Sequence, residues 1–217
     1  MTVLCAALAL ASCTEEKFSQ KGEVVTANIS VATTAATKAT VDGDGVAAAV
    51  KRCILQVRMG DKVYETRTIE GTAGQKTYTA SIDLINGQAY TILAWVDAGA
   101  DSYTFDEATA TVSRVSTESS MDESLDAFYG QATLDLAATQ DTKVTITAKR
   151  PIAQINLVST DVFPEGFAPT DLVVTTKAPA TFNVLTATFD GEAEYTAKAD
   201  SAYTSKTLAM TYVFAET

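Results

Sequence analysis

Apolar residues recur at every second position through most of this chain, and no stretch holds a helical period beyond about two turns. That alternation restricts the fold more than any other feature. Val25, Ala27, Ile29 and Val31 share one face of a strand, with Thr26, Asn28 and Ser30 on the other. The pattern returns at Cys53-Leu55-Val57-Met59, Val63 to Ile69, Tyr78-Ala80-Ile82-Leu84, Val144-Ile146-Ala148, Ala153-Ile155-Leu157 and Leu208-Met210-Tyr212-Phe214. Further strand signals lie at Leu134-Leu136, Leu172 to Val174 and Phe182 to Phe189. Gly60-Asp61 and Asn86-Gly87 are hairpin turn formers between them. Tyr90 to Val96 is apolar on both faces, as a central strand covered from both sides must be. Ser120-Met121-Asp122-Glu123 matches a capping box and predicts one helical turn. The expected fold is all-β and antiparallel, a sandwich architecture. Arg150-Pro151 marks a seam, because proline cannot sit mid-ladder in a central strand. It divides a first β-unit, 23–150, from a second, 151–217, whose four or so strands are few for a closed sandwich and whose end reads as unfinished.

Composition narrows the chemistry. The 217 residues carry 16 Lys plus Arg against 27 Asp plus Glu, a net charge of −11 that repels a nucleic-acid backbone. There is no histidine, which removes Ser-His-Asp and Cys-His nucleophiles, histidine-bearing zinc sites and histidine pH switches. Asp42-Gly43-Asp44-Gly45 lacks the third ligand position and closing glutamate of a calcium loop, so it reads as a turn. No metal or cofactor is expected. A glycosidase-type carboxylate pair would have to come from Asp97, Asp101, Asp106, Asp122, Glu123 and Asp126. In so acidic a chain these read as solvated surface, and no enzymatic activity is expected. A sugar-binding surface would need exposed rings; Tyr90 and Trp95 are the candidates, but they have opposite parity on one apolar strand and read as core packing.

Residues 1–12 are uncharged and almost wholly apolar, too short to span a bilayer and suited to the core of a signal peptide, although no Lys or Arg precedes them. Leu10-Ala11-Ser12-Cys13 resembles the lipobox of bacterial lipoproteins, which implies an acylated Cys13 as the first mature residue and membrane attachment through its lipid. Residues 13–22 then form a polar tether. With Cys5 removed and Cys13 acylated, Cys53 has no partner for an intramolecular disulfide and reads as a core residue.

Several short motifs in order resemble the fimbrillin-like lipoproteins of gut and oral anaerobic Gram-negative bacteria. They are the lipobox followed by Glu15-Glu16, the strand 24–32, Thr37-Lys38-Ala39-Thr40, Lys51-Arg52-Cys53-Ile54-Leu55-Gln56-Val57, Gly87-Gln88-Ala89-Tyr90 with Ala94-Trp95-Val96-Asp97, Asp126-Ala127-Phe128-Tyr129-Gly130, and Lys149-Arg150-Pro151-Ile152-Ala153-Gln154-Ile155. The resemblance implies two transthyretin-like sandwich domains and a place in a pilus at the outer membrane or cell surface. It implies, too, that a trypsin-like protease cuts after a basic residue behind the first strand, and that a strand from another pilin subunit fills the groove left behind. The cut is expected after Lys38, with Lys51 or Arg52 as the alternative. A host or bacterial surface ligand is an expected partner of an adhesive subunit. The rival reading is a surface carbohydrate-binding lipoprotein.

Overall fold

The computed structural model describes residues 22–34, 49–119, 121–159, 172–198 and 207–215. The strands are β1 (Val24–Thr33), β2 (Arg52–Met59), β3 (Lys62–Glu70), β4 (Thr77–Ile85), β5 (Ala89–Asp97), β6 (Tyr103–Asp106), β7 (Thr111–Arg114) and β8 (Glu118–Ser119). After them come β9 (Phe128–Asp135), β10 (Lys143–Ala148), β11 (Ile152–Val158), β12 (Val173–Ala178), β13 (Thr181–Asn183), β14 (Thr188–Asp190), β15 (Ala193–Lys198) and β16 (Thr207–Phe214). The fold is all-β, as the alternation predicts. Among the described residues helical structure is confined to a 3₁₀ turn at Glu123–Leu125. Its cap is Asp122, whose Oδ1 accepts from the Ser124 N–H at 2.9 Å, two residues later than the Ser120 start expected from the capping box. The carboxylate reaches only two residues ahead, which suffices because the turn closes only three residues.

Two sheets face each other around the first core. One has the order β10-β1-β4 and the other β3-β2-β5-β9. Ile29 and Val31 from β1, Ile82 and Leu84 from β4 and Ile146 from β10 meet Leu55, Val57, Ile92 and Ala94 from the opposite sheet. Pairing is mostly antiparallel. The exceptions are β1 with β10, and β15 with β8, which run parallel. A parallel partner requires a long crossover, which the intervening strands supply.

The β3-β2-β5-β9 sheet is covered on its other face as well. Ile54, Leu93, Trp95 and Tyr129 point away from the first core into a second one with Tyr103, Val112, Phe182, Met210, Tyr212 and Phe214. This double burial explains the two-faced apolar run of β5. The second core is roofed by the sheet β14-β13-β7-β6, and the pair β11-β16 and the sheet β12-β15-β8 complete that half. The segment between β5 and β9 supplies β7 to β13 and β8 to β15, so ladders join chain on either side of Arg150. The run Phe182 to Phe189 is a hairpin, β13 with β14, turned at Ala187 with φ 55°. Gly130 allows β9 to approach β10. A Cβ there would meet Ile146 Cγ2 at 2.5 Å and the Thr147 carbonyl at 3.2 Å.

Candidate functional site

Strand β1 lies in the middle of its sheet, antiparallel to β4 from Val24↔Ile85 to Ala32↔Thr77 and parallel to β10 from Asn28↔Lys143 to Thr33↔Ala148. Its inward side chains Ala27, Ile29 and Val31 are essentially sealed from solvent, at 0–2% exposure, and Val25 packs at the edge of the same core. Its outward side chains are polar and bonded across the ladder. Thr26 Oγ1 donates to Asp83 Oδ1 at 2.7 Å, and Ser81 Oγ donates to Asn28 Oδ1 at 2.9 Å. Both ends are pinned by main chain. The Asn86 N–H donates to the Glu23 carbonyl at 2.7 Å, and the Thr34 N–H donates to the Ala148 carbonyl at 3.1 Å. Taking β1 away would leave β4 and β10 two strand spacings, about 9.5 Å, apart over an open core.

The other margins of this sandwich are partly capped. On one side Tyr64 Oη donates to the Asp83 carbonyl at 3.1 Å and Arg67 Nη1 to the Ser81 carbonyl at 2.8 Å, so β3 side chains cap carbonyls of β4. On the other, Tyr129 and Lys149 exchange two main-chain bonds of 2.8 Å that join β9 to the end of β10. Capped and bridged margins offer little to an incoming strand.

Two buried ion pairs tie together motifs far apart in the chain. Arg52 at the head of β2 donates from Nε and Nη2 to the two Asp97 oxygens at 2.7 and 2.6 Å, and Nη2 also reaches the Tyr103 carbonyl at 3.1 Å. Trp95 Nε1 and the Gly99 N–H complete the shell of Asp97. Burial pushes the Asp97 carboxyl above the ordinary range, and Arg52 and Trp95 pull against that shift. Arg150 grips Asp126 in the same two-pronged way, at 2.8 and 2.6 Å, with its guanidinium 4.7 Å from the Phe128 ring centre. Asp97 and Asp126 are thus interior struts. Asp106 caps its own turn at Ala108, and Glu123 accepts from Tyr212 Oη at 2.9 Å. Tyr90 and Trp95 are both buried, one in each core, so neither is a platform for a sugar ring. Cys13, Lys38 and the Asp42-Gly43-Asp44-Gly45 turn lie outside the described residues. The sequence signal for the pairs was a lone Arg and a lone Asp at strand ends, and it carried no pairing information.

Cys53 is fully buried in the first core. Burial first, and then the Asp97 charge, push its thiol up to about 12. At pH 8 iodoacetamide should therefore label Cys53 of the folded protein roughly a thousandfold more slowly than in urea, read by peptide mapping. A thiol raised above its unfolded value supports folding fully below pH 9, and that support is lost as pH climbs toward 12.

The chain belongs to a family of unknown function, DUF6562, whose model matches residues 19–217. No curated protein matches it. Three solved structures show the same fold. The fimbrial anchor protein Mfa2 from Porphyromonas gingivalis shares 12% identity at a TM-score of 0.56, over 88% of this chain and 73% of that one. A candidate adhesin from Bacteroides ovatus shares 12% at 0.57, over 88% and 68%. A candidate polysaccharide-binding protein (DUF1812) from Bacteroides thetaiotaomicron shares 12% at 0.55, over 88% and 72%.

Proposed function

We propose that this protein is a structural or adhesive subunit of a surface fimbrium, assembled by strand exchange at the seat of β1. The precursor is anchored through acylated Cys13 after removal of residues 1–12, with 13–22 as tether. Two transthyretin-like sandwich units, 23–150 and 151–217, form the body, with β6, β7 and β8 of the first lending strands to the sheets of the second. A cut after Lys38 releases β1, and a strand from another subunit takes its place between β4 and β10. The observation that carries this reading is the position of β1, central in its sheet and facing the first core with Ala27, Ile29 and Val31. Strand addition at such a gap satisfies two rows of main-chain groups and re-covers apolar surface in one step. Fimbrial and adhesin-type neighbours of the same fold support the reading.

The test compares the full chain with Lys38→Gln after mild trypsin treatment, reading intact mass and the gel ladder of assembled subunits. Wild type should lose the segment through Lys38 and form a ladder, and the variant should do neither. Unchanged processing and assembly in Lys38→Gln, with Lys51 and Arg52 intact, would overturn this assignment of the cut.

A further inference from the structure

The chain has five arginines and eleven lysines, and the fold treats them differently. Four of the arginines, Arg52, Arg58, Arg114 and Arg150, are buried at 5–9% exposure. Arg52 and Arg150 are clamped by Asp97 and Asp126. Arg58 donates to Gln56 Oε1 at 2.9 Å and to the Asp61 carbonyl at 2.7 Å, with the Glu107 and Ala108 carbonyls closing over it. Arg114 donates to the Tyr212 carbonyl at 2.7 Å and lies 4.8 Å from the Tyr195 ring centre, with Nε and Nη2 sealed from solvent. Arg67 is the one exposed arginine; it sits within β3 and spans Glu65 and the Ser81 carbonyl across the β3–β4 margin. The described lysines are outside. Lys51, Lys62, Lys76, Lys143, Lys149 and Lys198 are exposed, and the ion pairs of Lys177 and Lys198 are at the surface.

A protease specific for basic residues must draw the side chain into its own acidic pocket and hold the flanking backbone as an extended strand. For the four buried arginines that means breaking a network inside the folded body, and at Arg52, Arg58, Arg67 and Arg114 it means opening a strand ladder. At Arg150 the following residue is Pro151. We infer that the protease that matures this subunit is lysine-directed, and that an arginine-directed enzyme leaves the folded chain whole. This inference rests on the strand-exchange reading and gives its processing partner a specificity.

The experiment treats the folded full chain with an arginine-specific and, separately, a lysine-specific endoproteinase, with a urea-unfolded sample of each as control. Intact mass reads the cuts. A synthetic peptide of β1, Val24 to Thr33, reports whether a nicked product takes up a strand. The lysine-specific enzyme should nick the folded chain to a discrete product. The arginine-specific enzyme should act on the folded chain at least about a hundredfold more slowly than on the unfolded one. A discrete native cut after any arginine, or a folded chain that resists the lysine-specific enzyme, overturns the inference. A lysine-nicked product that refuses the β1 peptide upholds the selectivity and refutes strand exchange at β1. An arginine-nicked product that accepts it does the reverse.

Discussion

Replacing Asp97 with Asn should lower the melting temperature by roughly 6–20 °C, the largest effect expected of any single isosteric change in the first half of the chain. Asp97 has no exposure at all, and the Arg52 side chain retains only 10%. The substitution keeps the shape of the side chain and removes the charge that compensates a buried guanidinium. Breaking a buried pair from one side costs about 3–5 kcal/mol, because the remaining charge is stranded where water cannot reach it. Trp95 Nε1 loses its charged acceptor as well, and Gly99, with φ 137°, loses the carboxylate that holds its amide. The consequence is larger than the pair alone, because Arg52 also holds the Tyr103 carbonyl and so ties β2 to β6. Thermal unfolding followed by circular dichroism reads the shift. The double variant Arg52→Met with Asp97→Leu should recover most of the loss, since an apolar pair of similar volume leaves no charge behind. A shift under about 2 °C for Asp97→Asn would show that the pair is not a strut.

Ile29→Ala should destabilise the protein by about 2–5 kcal/mol, whereas Thr26→Ala on the other face of β1 should cost below about 1 kcal/mol. Ile29 is buried between Ala80 of β4 and Val144 of β10, at the middle of the strand. Its removal leaves a hole bounded by two ladders that cannot close inward without losing their bonds. Thr26 is exposed and its hydroxyl reaches only the exposed Asp83, which water can serve equally well. Urea unfolding midpoints of the two variants measure the contrast. Equal losses would mean that β1 is held by its ladders alone. A synthetic β1 peptide carrying Ala in place of Ile29 should likewise enter the vacated seat far more weakly than the native peptide.

The strands that alternate cleanly were legible without coordinates. Val25 to Val31, Tyr78 to Leu84 and Val144 to Ala148 each lie on a face whose burial repeats every second residue, and that periodicity is a property of the strand itself. Gly87 turns with φ 77° after Asn86, as the dipeptide requires. Even the double burial of β5 was written in its unbroken apolar run. The short strands β6, β7 and β8 and the longer β15 left no such trace. Two to four residues are too few to show a period, and β15 reads Ala-Glu-Tyr-Thr-Ala-Lys, where only Tyr195 is a large apolar anchor.

Partners are another matter, because a ladder bond is made by main-chain groups that are the same in nearly every residue. The sequence of β1 states which face is buried and says nothing of β10, far down the chain and parallel to it. Nor do Arg52 and Asp97, or Asp126 and Arg150, announce each other. The sequence by itself determined the strands, their inward faces and their main turns, since those follow from local periodicity and backbone preference. Tertiary structure alone decided that β1 is central in its sheet and that four of the five arginines are buried in the folded body. Those facts depend on which distant segments pack together, and long-range packing leaves no period in the chain.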